Sequence, residues 1–116
     1  MPVSHFPEAQ IHDISSLGID GVNAFLEDVV SSNDPEAPIS CGFFRIEAGS
    51  PLKYAYSYDE CKVMLEGSMI VTEEGADSIV VRPGDVLFFS AGTSVTFATE
   101  SSGVAFYCGQ RRRGVL

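Results

Sequence analysis

From Ile39 onward, apolar residues recur at alternate positions, the period of strands that turn one face to a core. The run ISCGFFRIEAG from Ile39 stops at Ala48-Gly49-Ser50-Pro51 and predicts a first regular strand. Tyr54–Tyr58, Val63–Thr72, Ser78–Val81, Val86–Phe89, Thr93–Ala98 and Val104–Cys108 predict six more, with turn signals about every eight to twelve residues. Glu73-Glu74-Gly75 reads as a hairpin between strands. Pro83-Gly84-Asp85 reads as a tight turn, since glycine tolerates the positive φ such turns demand. Seven short strands of this kind predict an all-β sandwich or small barrel.

The first part of the chain breaks this regularity. Pro2, Pro7, Gly18-Ile19-Asp20-Gly21 and Ser31-Ser32-Asn33-Asp34-Pro35 punctuate short apolar pieces. The piece AFLEDVV, Ala24 to Val30, is too short for periodicity to separate a helical turn and a half from a strand. A strand or extended edge segment is the expectation. Residues 1–36 are therefore read as an N-terminal arm, a candidate dimer element, and residues 37–116 as the barrel.

At 116 residues the chain is one domain, long enough to bury roughly two-thirds of the surface its unfolded form would expose. Eight Phe, eleven Gly and 45% apolar residues suit a packed β core and not disorder. Net charge is −9, and no Lys or Arg precedes Arg45, whereas Glu8, Asp13, Asp20, Glu27, Asp28, Asp34 and Glu36 do. Such a surface repels phosphate backbones and anionic lipid, which argues against nucleic acid and membrane as partners. Arg111-Arg112-Arg113 is the exception: a small anion or partner contact, or a solvated tail pairing with the acidic body, the latter being the expectation.

Cys41, Cys61 and Cys108 are odd in number and show no CxxC spacing. The start MPVSHFPEAQ has neither a basic nor an apolar leader region, and no apolar run approaches the roughly 20 residues of a membrane helix. A cytoplasmic protein with buried, reduced thiols is expected. The histidines, His5 and His12, both fall in the arm, so a Cys-His nucleophile pair is not expected.

The densest chemistry is in YAYSYDECKVMLEG, Tyr54 to Gly67, where three of the four tyrosines precede Asp59, Glu60 and Lys62. The spacing Glu60, six residues, Gly67, and then Gly84, five residues, Ser90-Ala91-Gly92 resembles the two cupin motifs G-x5-H-x-H-x3,4-E-x6-G and G-x5-P-x-G-x2-H-x3-N. PGDVLFFSAGTSVTF resembles the turn-strand-turn of the second motif, and SYDECKVMLEG resembles the ethanolamine-utilisation protein Q (EutQ) type of cupin. The resemblance covers about residues 45 to 108. It implies a single jelly-roll barrel of two antiparallel sheets, a homodimer, and a link to acetyl-phosphate or acetate-kinase chemistry, for which the chain shows no Gly-rich phosphate loop.

The positions matching the metal ligands of metal-binding cupins are Tyr54, Tyr56, Glu60 and Val95, with no imidazole among them. One carboxylate and two phenols of ordinary pKa near 10 have little affinity for transition metals at neutral pH, so no metal and no cofactor is expected. Strand alternation then describes the interior. If Tyr54 and Tyr56 face inward, Ala55 faces out; if Glu60 faces inward, so do Lys62 and Met64, and Val95, Phe97 and Thr99 share the opposite wall. This box suits a small polar or carboxylated metabolite.

Each polar residue has two readings. Glu60 is a general base, with Tyr56 as acid, or a partner for Lys62 or a tyrosine hydroxyl. Lys62 forms a Schiff base, binds a carboxylate, or points out to solvent. Tyr54 and Tyr56 contact ligand or fill volume. Arg45 binds an anion or pairs outward with Glu47; Tyr107 is similarly ambiguous; Tyr58 is read as a rim residue. In Phe43-Phe44 and Phe88-Phe89 one ring packs inside and the other faces a second sheet or partner copy. The functional expectation is a metal-independent small-molecule cupin, and the alternative is a non-catalytic binding or assembly module.

Overall fold

The computed structural model describes residues 3–116; Met1 and Pro2, the first two residues of the expected arm, lie outside the described residues. Nine strands form: β1 (Asn23–Ser31), β2 (Ser40–Glu47), β3 (Leu52–Ala55), β4 (Glu60–Gly67), β5 (Met69–Glu73), β6 (Ser78–Val81), β7 (Val86–Phe89), β8 (Ser94–Ala98) and β9 (Ser102–Gly109). They build a five-stranded sheet, β1-β2-β9-β4-β7, facing a four-stranded one, β3-β8-β5-β6. Every pairing is antiparallel. The all-β class read from the alternation and the two-sheet jelly roll implied by the resemblance are therefore the fold. No helix among the described residues is long and apolar enough to cross a membrane.

Alternate residues of facing strands make the core: Phe44 and Ile46 from β2, Met64 from β4, Met69 from β5, Phe97 from β8 and Tyr107 from β9 are all nearly inaccessible. Phe44 and Phe89 point inward as one member of each Phe pair should, leaving Phe43 and Phe88 on the outer face. The predicted turns hold too. The Ala76 amide donates to the Glu73 carbonyl at 3.0 Å, and the Asp85 amide to the Arg82 carbonyl at 3.0 Å, with Gly84 at φ 94°.

Two strand boundaries differ from expectation. Val63–Thr72 is not one strand, because the chain crosses from one sheet to the other at Gly67. That residue has φ 70°, and a side chain there would strike the Ser102 carbonyl. The inward positions change phase there, from Glu60, Lys62 and Met64 on β4 to Met69 and Val71 on β5, but Val63, Leu65 and Ile70 are apolar on the other face and mask the change. Tyr54–Tyr58 also contains only the end of β3; Tyr56 to Asp59 turn the corner into β4.

β1 lies within the stretch read as an arm and pairs with β2 from Asn23↔Glu47 to Ser31↔Ser40. The segment before it is held on β1 by the Leu17 amide to the Ala24 carbonyl and the Leu26 amide to the Ser15 carbonyl, each 2.9 Å. Two expectations are corrected here. Cys61 is exposed, not buried, because it sits on the outer face of β4 beside Phe88. Arg111 is buried, not part of a solvated tail, because Asp28 of β1 receives its guanidinium.

Candidate functional site

Glu60 opens β4, and alternation carries Lys62 and Met64 inward with it. The Glu60 and Lys62 side chains are only 2% and 3% exposed and meet at 2.6 Å, Nζ to Oε2. The Tyr56 hydroxyl donates to the same Oε2 at 2.5 Å. Oε1 takes no hydrogen bond among the described residues; it lies over Gly109, where a Cβ would come within 3.3 Å of it. A larger residue than glycine would crowd the carboxylate.

Lys62 is enclosed by aromatic faces: Nζ lies 5.0 Å from the Phe44 ring centre, 5.2 Å from Tyr107 and 5.4 Å from Phe97. Burial holds its ammonium below the ordinary 10.5, with the Glu60 charge pulling the other way. Burial, reinforced by the Glu60 charge, raises the Tyr56 phenol far above its usual range, so Tyr56 stays a proton donor. Its ring stacks on Phe89 at 4.7 Å and meets Tyr54 edge-on at 4.8 Å. The Tyr54 and Tyr58 hydroxyls bond each other at 2.7 Å. Burial raises both of these phenols as well.

Tyr54, Tyr56, Glu60, Lys62 and Phe97 line one cavity of about 20 Å³, room for a single water, together with Leu17, Leu26 and Leu116. A wider open depression of about 530 Å³ lies elsewhere, over the outer face of the four-stranded sheet between Lys53, Thr72, Glu74, Ser94 and Thr96. Of the Glu60 cluster only Tyr54 reaches its lining; Tyr56, Tyr58, Glu60 and Lys62 do not.

Of the other residues read as ligand contacts, Met64 and Val95 are buried interior packing, and Tyr107 faces inward across from Lys62. Arg45 follows the outward of its two readings, which corrects its place among the ligand contacts: it lies on the outer face of β2, 4.4 Å over the Phe25 ring and 3.2 Å from Glu47, away from the cavity. Tyr58 is corrected in the opposite sense, because its ring folds in from the predicted turn to join the cluster.

Sequence reasoning missed a second buried ion pair. Asp28 accepts Arg111 Nη2 at 2.8 Å and the Tyr107 hydroxyl at 2.6 Å on Oδ1, and Arg111 Nη1 at 2.9 Å and the Gly114 amide at 2.8 Å on Oδ2. Burial alone would raise its pKa; these bonds, Arg111 first, outweigh that and hold Asp28 at about 2. The signals available were Asp28, the inward member of the adjacent acids Glu27 and Asp28 in an otherwise apolar strand, and an arginine near the C-terminus. They lie 83 residues apart, and nothing local pairs them.

The positions that match metal ligands do not make a metal site here. Glu60 Oε2 is committed to Lys62 and Tyr56, Val95 offers no donor, and His5 and His12 are exposed on the N-terminal segment. Among the described residues no group of three His, Cys, Asp or Glu is placed to hold an ion.

Residues 34–105 match the family described as the EutQ-like cupin domain. The acetate kinase EutQ of Escherichia coli (strain K12) is 34% identical over 77 residues, which are 66% of this chain and 32% of that protein. The chain thus spans about a third of that curated relative. The solved structure of a putative ethanolamine utilization protein Q from Salmonella typhimurium LT2 is 28% identical with a TM-score of 0.67, covering 78% of this chain and 71% of that one. The polyketide cyclase RemF of Streptomyces resistomycificus shares the fold at a TM-score of 0.76 and 15% identity, over 99% of this chain and 82% of its own.

Proposed function

Because the chain belongs to the family of EutQ-like cupin domains, we propose that its barrel binds a small polar metabolite at Tyr54, Tyr56, Glu60 and Lys62 and transfers a proton there. The observation that carries this reading is a cavity-lining carboxylate, Glu60, whose Oε1 takes no hydrogen bond among the described residues, next to a phenol held protonated. Glu60 takes a proton from the ligand, and Tyr56 donates one or polarises a ligand oxygen, which suits isomerisation, elimination or hydrolysis. No step uses a metal, since the donor set does not fit one.

A neutral ligand suits the interior better than a carboxylated one. Both buried cations are matched already, Lys62 by Glu60 and Arg111 by Asp28, and an added carboxylate would be an uncompensated buried charge. For the same reason the acetate kinase activity named for the relatives is not carried over: a phosphate would find no spare interior cation among the described residues. The ligand enters by displacing lining side chains such as Leu17 and Leu116, because a water-sized space cannot hold it otherwise.

Thermal-shift binding against a panel of neutral and acidic metabolites, followed by turnover assays, tests this. Glu60→Gln is expected to keep affinity within a few-fold and to lower turnover about 10²–10⁴-fold. Undiminished turnover removes the carboxylate as base, and a stoichiometric transition metal in protein purified without chelator overturns the metal-free reading. A non-catalytic module is the second reading, favoured by the filled interior; it stands if no metabolite on the panel raises the melting temperature.

A further inference from the structure

The three cysteines fall in one row across the outer face of the five-stranded sheet: Cys41 of β2 opposes Cys108 of β9, which opposes Cys61 of β4. The row ends at Phe88 of β7, which pairs with Cys61 and is 62% exposed. Cys61 is exposed, while Cys41 and Cys108 are half-buried with their sulfurs 3.1 Å apart.

The two neighbours of Cys108 are not equivalent. In an antiparallel ladder, hydrogen-bonded and non-hydrogen-bonded residue pairs alternate. The Gln110 amide donates to the Asp59 carbonyl at 2.9 Å, so Asp59 and Gln110 are a bonded pair, and two residues along, Cys61 and Cys108 are too. The backbone groups of Cys108 therefore point toward β4, which makes Cys41 and Cys108 the non-hydrogen-bonded pair across β2. Such pairs bring Cα atoms to about 4.5 Å and Cβ atoms closer than bonded pairs do. A disulfide needs Cβ atoms about 3.5–4.5 Å apart, which favours Cys41–Cys108 over Cys61–Cys108.

We propose that this row is a thiol–disulfide exchange site, in which exposed Cys61 is the entry thiol for a low-molecular-weight disulfide and Cys41–Cys108 is the resting bond. The Cys61 thiolate attacks one sulfur of the incoming disulfide RSSR and expels RS⁻. Cys108 attacks the Cys61 sulfur, expels the second RS⁻, and forms Cys61–Cys108. Cys41 then attacks the Cys108 sulfur, releasing Cys61 and leaving Cys41–Cys108. Two protein thiols lose two electrons and two protons, and RSSR becomes two RSH. Burial and the Cys108 thiol push Cys41 up to about 12, which keeps it from being the entry thiol and makes its attack on the Cys108 sulfur the slow step. This site is independent of the barrel reading.

The test is incubation of reduced full-length protein with oxidised glutathione, acid quench, alkylation and mass measurement. The expected product has lost two hydrogens, joins the Cys41 and Cys108 peptides, and leaves Cys61 alkylated. Cys61→Ser reaches the same product about tenfold more slowly. A reaction that stops at one glutathione on Cys61, with Cys41 and Cys108 both alkylated, overturns the proposal. So does an Ellman titration of the native protein in which Cys61 fails to react first.

Discussion

The barrel encloses two ion pairs of nearly equal burial that are finished differently. Asp28 is saturated: two oxygens accept four bonds, from both ends of the Arg111 guanidinium, a phenol and a backbone amide. Glu60 accepts Lys62 and Tyr56 on one oxygen, leaves the other without a bond among the described residues, and lines a cavity. Being buried and paired is common to both, so neither property marks a functional carboxylate. Spare hydrogen-bonding capacity next to space is what separates them. The Asp28 pair clamps the C-terminal segment onto β1, with Arg113 adding a 3.0 Å bond to the Asp28 carbonyl; the Glu60 pair can exchange a partner for a ligand.

If that contrast is right, the largest stability loss belongs to the saturated pair. Asp28→Ala strands a buried guanidinium and is expected to cost about 3–5 kcal/mol in urea unfolding; a loss below about 1 kcal/mol would sink the clamp. Tyr107→Phe removes one bond to that charged acceptor and is expected to cost about 1.5–3 kcal/mol by the same measurement. Replacing both members of the other pair, Glu60→Gln with Lys62→Met, should leave stability within about 1 kcal/mol of wild type or raise it, while abolishing ligand binding. A large loss there would make the Glu60 pair structural as well.

The smallest effect is a slope with pH. Folding depresses the Asp28 carboxyl from 3.8 to about 2, so its contribution is complete above 3.8 and disappears as pH falls through about 2. Melting temperature should therefore drop more steeply below pH 4 in wild type than in Asp28→Asn. Equal slopes would mean that the carboxylate is not held ionised.

Much of the candidate site was legible because it is local. Glu60 and Lys62 are two apart on one strand, and alternation alone puts them on one face; Tyr56 stands four residues before Glu60. Arg45 and Tyr58 were harder, because each lies where the pattern constrains direction least: a charge in an apolar strand is tolerated on either face, and a turn residue can fold in or out. The Gly67 corner is marked only by the glycine and by a change of phase in the inward positions, from even on β4 to odd on β5, which apolar residues on the outer face blur.

From the order of residues alone came the all-β class, the hairpin at Glu73–Gly75, the turn at Gly84 and the inward set on β4, because each follows from contacts within a few positions and from the two-residue pleat. Chain closure decided the rest. Only the pairing of β1 with β2, which in turn pairs with β9, brings Asp28 to Arg111 and Tyr107, and only the meeting of Leu17 and Leu116 with the tyrosines, Glu60 and Lys62 leaves an interior pocket the size of one water. Those are meetings of residues tens of positions apart, and no short-range periodicity encodes which distant partners share a desolvated space.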